Sequence, residues 1–147
     1  MKVNKKTTLD IKNMSKKLDK MKVQAGFFSS AKYEDGTSVA EVAMINNYGV
    51  PQRGQPPRRF MDNALKKASE WKKTFDFMVQ KDFSRGGDFK TSFSTLGSVV
   101  QGDIKTSIKE FTSPALAQST IDKKGFSKPL IDTGYMLDAV NYEVSKW

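Results

Sequence analysis

The tract Leu130-Ile131-Asp132-Thr133-Gly134 carries the most obvious chemistry in this sequence: an aspartate that follows two apolar residues and precedes Thr-Gly. Two such aspartates, one from each protomer of a dimer, would share a proton and activate a water for hydrolysis. Few other routes are open, because the 147 residues include no cysteine and no histidine. Thiolate nucleophiles, disulfides and Cys/His zinc sites are thereby excluded. Serine–histidine relays and histidine general bases are excluded as well. Any hydrolysis would have to run on carboxylates, alone or with a metal.

The surroundings of Asp132 argue for a turn instead. The tract matches that of retropepsin-like aspartic proteases, but only 13 residues follow Gly134, leaving no room for a flap and the later enclosing strands. Tyr135 also stands where that pattern has a small Ala or Ser. Asp132, Thr133 and Gly134 are therefore read as a structural turn, with Asp132 or Thr133 capping a short helix over 135–139 through backbone N–H bonds. Glu34 and Asp35 read as another turn. Asp76, Asp82 and Asp88 are spaced along helix and loop surface. Gly86-Gly87 lacks the spacing of a phosphate-binding loop. No catalytic residue, cofactor or metal is expected, and no enzymatic activity.

The elements that would position these groups follow from apolar spacing. Ile11, Met14, Leu18 and Met21 predict an amphipathic helix over 9–21. The segment after it, Met21 to Ser30, alternates as a strand with Val23, Ala25 and Phe27 on one face. Asp35-Gly36 marks a turn, after which Thr37 or Ser38 caps a helix that stops near Tyr48-Gly49. A Gly/Pro-rich loop fills 49–57. One long helix is then expected from Arg58 through Val79, with Phe60, Ala64, Leu65, Ala68, Trp71 and Phe75 in its stripe. Ser84 to Asp88 breaks the pattern, and a second long helix follows from Phe89 to Phe111. Gly97 and Gly102 within it could permit close packing. A single helical turn over 115–120 and a last strand over 139–145 complete the reading. The fold class is α+β: one domain over 1–147, with a small antiparallel sheet packed against two long helices and a basic N-terminal segment of about 22 residues.

Charge is unevenly placed. The net charge is +9, of which residues 1–25 contribute +6 and residues 53–73 contribute +5, leaving −2 for the remainder. Concentrated positive potential attracts polyanions, so these clusters suit nucleic acid or an acidic protein face; a solvated basic surface is the alternative. The aromatics Phe60, Trp71 and Phe75 lie among the basic residues at core spacing. No apolar run is long enough to span a membrane, and no apolar stretch follows the basic N-terminus as in a signal peptide, so synthesis in the cytoplasm is expected.

Four motifs in order carry a family resemblance. A helix ending in Asn47-Tyr48-Gly49 is followed, after a loop, by Pro57-Arg58-Arg59-Phe60 opening the next helix, with Arg59 where proline is often seen. Pro114-Ala115-Leu116, Ser119-Thr120-Ile121 and Lys124-Gly125 come next. Pro129 to Met136 closes the series. Together they cover about residues 20 to 145 and resemble the small head–tail joining or tail-completion (neck) proteins of tailed bacteriophages.

That resemblance implies a structural virion protein, made in the bacterial host cytoplasm and acting at the head–tail junction without catalysis. Its partners would be portal or connector proteins and tail-tube or tail-terminator proteins, with copies of itself forming a ring. Non-specific contact with DNA in the channel is also implied, and no membrane. The partner-binding candidates are Asn47, Tyr48, Gly49, Arg53, Arg58, Arg59 and Phe60, on a loop that orders when it docks. The competing reading is a basic nucleic-acid-binding accessory protein in which Lys66, Lys67, Lys72 and Lys73 act together, with Arg58-Arg59 able to grip phosphate at the helix start.

Overall fold

The computed structural model describes residues 5–114, 116, 118–125, 130–131 and 134–147. Their order is α1 (Lys5–Leu18), β1 (Met21–Phe27), α2 (Val39–Tyr48), a 3-10 turn (Pro51–Arg53), α3 (Phe60–Leu65), α4 (Ala68–Ser84), α5 (Lys90–Glu110), α6 (Gln118–Lys124), α7 (Tyr135–Asp138) and β2 (Val140–Lys146). The class is α+β. Among the described residues the sheet is a single antiparallel pair, in register from Met21 opposite Lys146 to Phe27 opposite Val140.

That register places Val23 beside Val144, Ala25 beside Tyr142 and Phe27 beside Val140. The apolar positions of both strands thus share one face, because side chains alternate along a strand. A two-stranded sheet is marginal alone and needs a helix over its apolar face. Helix α5 supplies it, lying across both strands, with α4 packed along α5. Gly97 is what lets α5 approach: a Cβ there would lie 2.2 Å from the Tyr142 ring. Gly102, the second glycine of that helix, faces open space. Ile104 and Ile108 continue the contact into a core shared with Val39, Ala43, Phe60, Ala64 and Val140.

Several boundaries differ from the sequence reading: β1 ends at Phe27 rather than Ser30, β2 is shifted by one residue, and α6 runs Gln118–Lys124 where a single turn over 115–120 was expected. Helix α1 ends at Leu18 rather than 21, because Met21 is already paired in the sheet. The single long helix expected from Arg58 is two helices. Lys67 leaves helical geometry at φ −86°, ψ 5°, and its N–H turns back to the Ala64 carbonyl at 3.0 Å. Leu65, assigned to the inward stripe, is 55 % exposed. The break re-aims α4 so that Lys67 Nζ and Trp71 Nε1 both donate to the Asp103 carboxylate of α5, each at 2.7 Å. Burial alone would raise the Asp103 carboxyl, but those two donors outweigh it and hold it below its ordinary value. The same carboxylate raises the Lys67 ammonium.

Asp82, read from sequence as a surface residue, is only 5 % exposed. Its Oδ2 accepts from the Ser92 backbone N–H at 3.1 Å and from the Ser92 hydroxyl, both in the first turn of α5. A carboxylate at a helix N-terminus satisfies donors that lack intrahelical partners. Asp88 adds a weaker bond to Lys90 N at 3.3 Å. The sequence signal was available: an acid in the last turn of one helix, two glycines, then another helix start.

Candidate assembly surface

The segment from 38 to 61 forms a bonded arch. Ser38 caps α2 by accepting from Glu41 N at 3.4 Å, and Gly49 ends it, its N–H donating to the Ile45 carbonyl at 2.8 Å. Gly49 has φ 72°, and a Cβ there would lie 2.6 Å from both the Gln55 carbonyl oxygen and Pro57 N. Only glycine fits where the returning chain crosses so close. Val50 and Gln55 then exchange backbone bonds at 2.9 and 3.2 Å across the Pro51–Arg53 turn.

The far limb is tied to α2 by the asparagine pair. Arg58 N donates to the Asn46 carbonyl at 2.8 Å, and Met61 N donates to Asn47 Oδ1 at 3.0 Å. Asn47 thereby fills the unpaired N–H at the start of α3 from a neighbouring helix. The 49–57 segment, read as a loop that orders on docking, is drawn by these bonds into a closed turn.

Six of the seven sequence-chosen residues separate into two groups. Asn47 is 2 % exposed and Phe60 is fully buried, edge-on to Phe27 with ring centroids 6.1 Å apart. The Phe60 carbonyl also accepts from Ser107 Oγ at 2.7 Å. Burying such a side chain contributes about 1.5–3 kcal/mol. Phe60, Asn47 and Gly49 hold the arch in shape, and a docking partner meets Phe60 only by opening the core. Tyr48, Arg53 and Arg59 are exposed. Arg59 Nη1 pairs with Asp62 Oδ2 at 3.1 Å in an exposed contact that contributes little.

Arg58 differs from its neighbours. It is 8 % exposed, its Nε is enclosed without a hydrogen-bond partner, and burial depresses its guanidinium below the ordinary value. Sequence reasoning missed Met44, which is 56 % exposed and one turn before Tyr48, itself 62 % exposed. The i, i+4 spacing on α2 makes these two side chains neighbours and would have found it.

Asp132 and Thr133 lie outside the described residues, so the expected cap falls there too. Gly134 sits at φ 84° immediately before α7, and the Asp138 N–H donates to its carbonyl at 3.0 Å. Asp35 behaves as a turn residue: its Oδ1 accepts from Thr37 N at 2.9 Å, and that bond lowers its carboxyl. Among the described residues no cluster of three or more acidic side chains could hold a metal ion. None of the described helices is long and apolar enough to cross a membrane.

The lysines read as acting together on nucleic acid are partly engaged. Lys67 pairs with Asp103, Lys72 pairs with Asp76, and Lys66 donates to Asn63 Oδ1 at 2.8 Å. A different set, Lys17, Lys20, Lys90 and Lys146, surrounds a groove of about 580 Å³ between α1, the sheet end and the start of α5. Gly87 brings α1 to this place, since a Cβ on it would lie 2.5 Å from Met14 Cγ. No known protein family, curated protein or solved structure matches the chain.

Proposed function

We propose that this chain is a structural protein of a tailed-phage virion, acting at the head–tail junction as a neck or tail-completion component. It would assemble as a ring of copies on connector or tail proteins, in a particle whose parts are made in the bacterial host cytoplasm. The observation that carries the reading is the arch. A helix end, a closed turn and a second helix start are bonded together, and the work of that bonding is to present Met44, Tyr48 and Arg53 outward. Exposed aromatic and arginine side chains on a bonded backbone suit protein docking, where a few such residues carry most of the affinity. The ordered motifs of the sequence supply the virion context. The proposed role needs no catalytic residue.

Disrupting the reading frame and viewing the resulting particles by negative-stain microscopy tests this. Filled heads beside unjoined tails are the expected result. Normal infectious particles would overturn the reading.

The second reading, binding of nucleic acid, is favoured by one observation: the four-lysine groove at the N-terminal helix. It requires DNA binding that survives near-physiological salt and falls when Lys17 and Lys90 are neutralised together. The neck reading expects only weak, salt-labile retention of DNA.

A further inference from the structure

Two features at opposite ends of α2 remain unused by the packing. At its C-terminal end is Arg58. A buried guanidinium without a counter-charge is costly, because low-dielectric surroundings disfavour a charge that nothing compensates. Arg58 forms no ion pair among the described residues: the nearest acid in sequence, Asp62, is taken by Arg59. Nε is enclosed and unbonded, and 8 % of the residue stays exposed. The Nη edge of a guanidinium is the one a carboxylate engages end-on with two parallel bonds.

At the N-terminal end of α2, where Val39 N donates to the Ala31 carbonyl at 3.1 Å, a groove of about 370 Å³ opens between Ala31 and the start of β2. Its floor includes Val140, whose carbonyl accepts from Gln101 Nε2 at 2.8 Å. The charged side chains lining it are Asp138 and Glu143 alone, both exposed and neither in an ion pair among the described residues. Ten residues of helix, about 15 Å of rise, separate the two ends. One end thus offers an uncompensated cation and the other an uncompensated pair of anions, on a chain whose overall excess charge is positive.

We infer that Arg58 of one copy is the counter-charge for the Asp138/Glu143 groove of the next, making a head-to-tail contact between identical chains. Different patches at opposite ends of one subunit define a heterologous interface, which closes into a ring or propagates as a filament. The inference names the self-contact within the ring reading and rests on that part of it alone. It stands whatever larger particle the ring belongs to.

The test is sedimentation velocity on the full chain over a wide concentration range, at low and moderate salt, with thermal unfolding recorded in parallel. The wild type is expected to self-associate, less so as salt rises. Arg58→Met should weaken association about a hundredfold, as truncating one member of a desolvated charge pair does. Its thermal stability should hold or rise, since an apolar side chain of similar volume replaces an unpaired buried charge. Asp138→Asn with Glu143→Gln should weaken association comparably without loss of stability. Combining all three changes should do no further harm, because they break the same contact. A wild type that stays monomeric throughout, an R58M variant that associates like wild type, or fully additive effects would each overturn the inference. None of those results bears on whether reading-frame disruption leaves heads and tails unjoined.

Discussion

The seam between α5 and the sheet and the arch from 38 to 61 dispose of their polar and aromatic groups in opposite ways. In the seam, Tyr142 lies flat on a glycine, Gln101 closes on a strand carbonyl, and Asp103 collects two donors from α4. In the arch, backbone bonds join the two limbs, but Tyr48 and Arg53 are exposed and the buried Arg58 Nε has no hydrogen-bond partner among the described residues. A region that spends its side chains inward is built for stability. One that is bonded along its backbone and leaves its side chains exposed suits the docking role proposed for it.

The largest effect that would sharpen this contrast is in the seam. Gly97→Val should destabilise the fold by about 3 kcal/mol, because overpacking a filled contact forces the ring or the helix to move. The built Cβ at 2.2 Å meets ring carbons of Tyr142 close to its own backbone, so the ring has little room to yield. Urea unfolding measures the loss. A variant as stable as wild type would mean that α5 slides freely on the sheet and that the seam is not the rigid half of the molecule.

The next effect concerns the α4–α5 tie. Trp71→Phe removes one of the two donors to Asp103 and should cost about 1.5 kcal/mol, in the range for bonds to charged groups. Its pH dependence has a definite sign. The Asp103 carboxyl is depressed in the folded state, so its contribution is present above the ordinary value of 3.8 and is lost as pH falls through the lower folded value. Lys67 is raised, so its share is complete below 10.5 and is lost as pH climbs through the higher folded value. The difference in Tm between wild type and W71F should therefore be constant near neutrality and shrink only in strong acid. A difference that grows on acidification would show that Asp103 is not the acceptor that matters.

These ties also explain what the sequence could and could not disclose. The Ser38 cap, the Gly49 stop, both strands and their shared face, and the glycine contact in α5 are local patterns, and each was legible from spacing or from residue type. The break at Lys66-Lys67 was not. The apolar stripe from Phe60 to Val79 runs at helical spacing straight across it, and neither proline nor glycine marks it. Its cause lies 36 residues away in Asp103. Arg58 was illegible for the same reason: beside Arg59 and two prolines it reads as surface charge, and only the return of the chain onto Asn46 buries it. Local signals give elements and their ends. Contacts between distant residues decide which charges are enclosed.

The smallest expected effect on stability is the one that bears most on the arch. Tyr48 is well exposed, and no hydrogen bond or ring contact among the described residues holds its side chain, so Tyr48→Ala should change unfolding free energy by less than about 0.5 kcal/mol. Its neighbour Met44 lies on the same face, and together they expose apolar surface that the backbone bonds of the arch keep from collapsing inward. If that surface is a docking face, Tyr48→Ala in the virion should leave particles short of joined tails although the purified protein melts like wild type. The separation of the two readouts is the point. A variant that unfolds early would place Tyr48 with Phe60 among the residues that merely hold the arch. One that melts normally and joins heads to tails normally would leave the exposed aromatic without a task, and the contrast between seam and arch would then be one of solvent exposure alone.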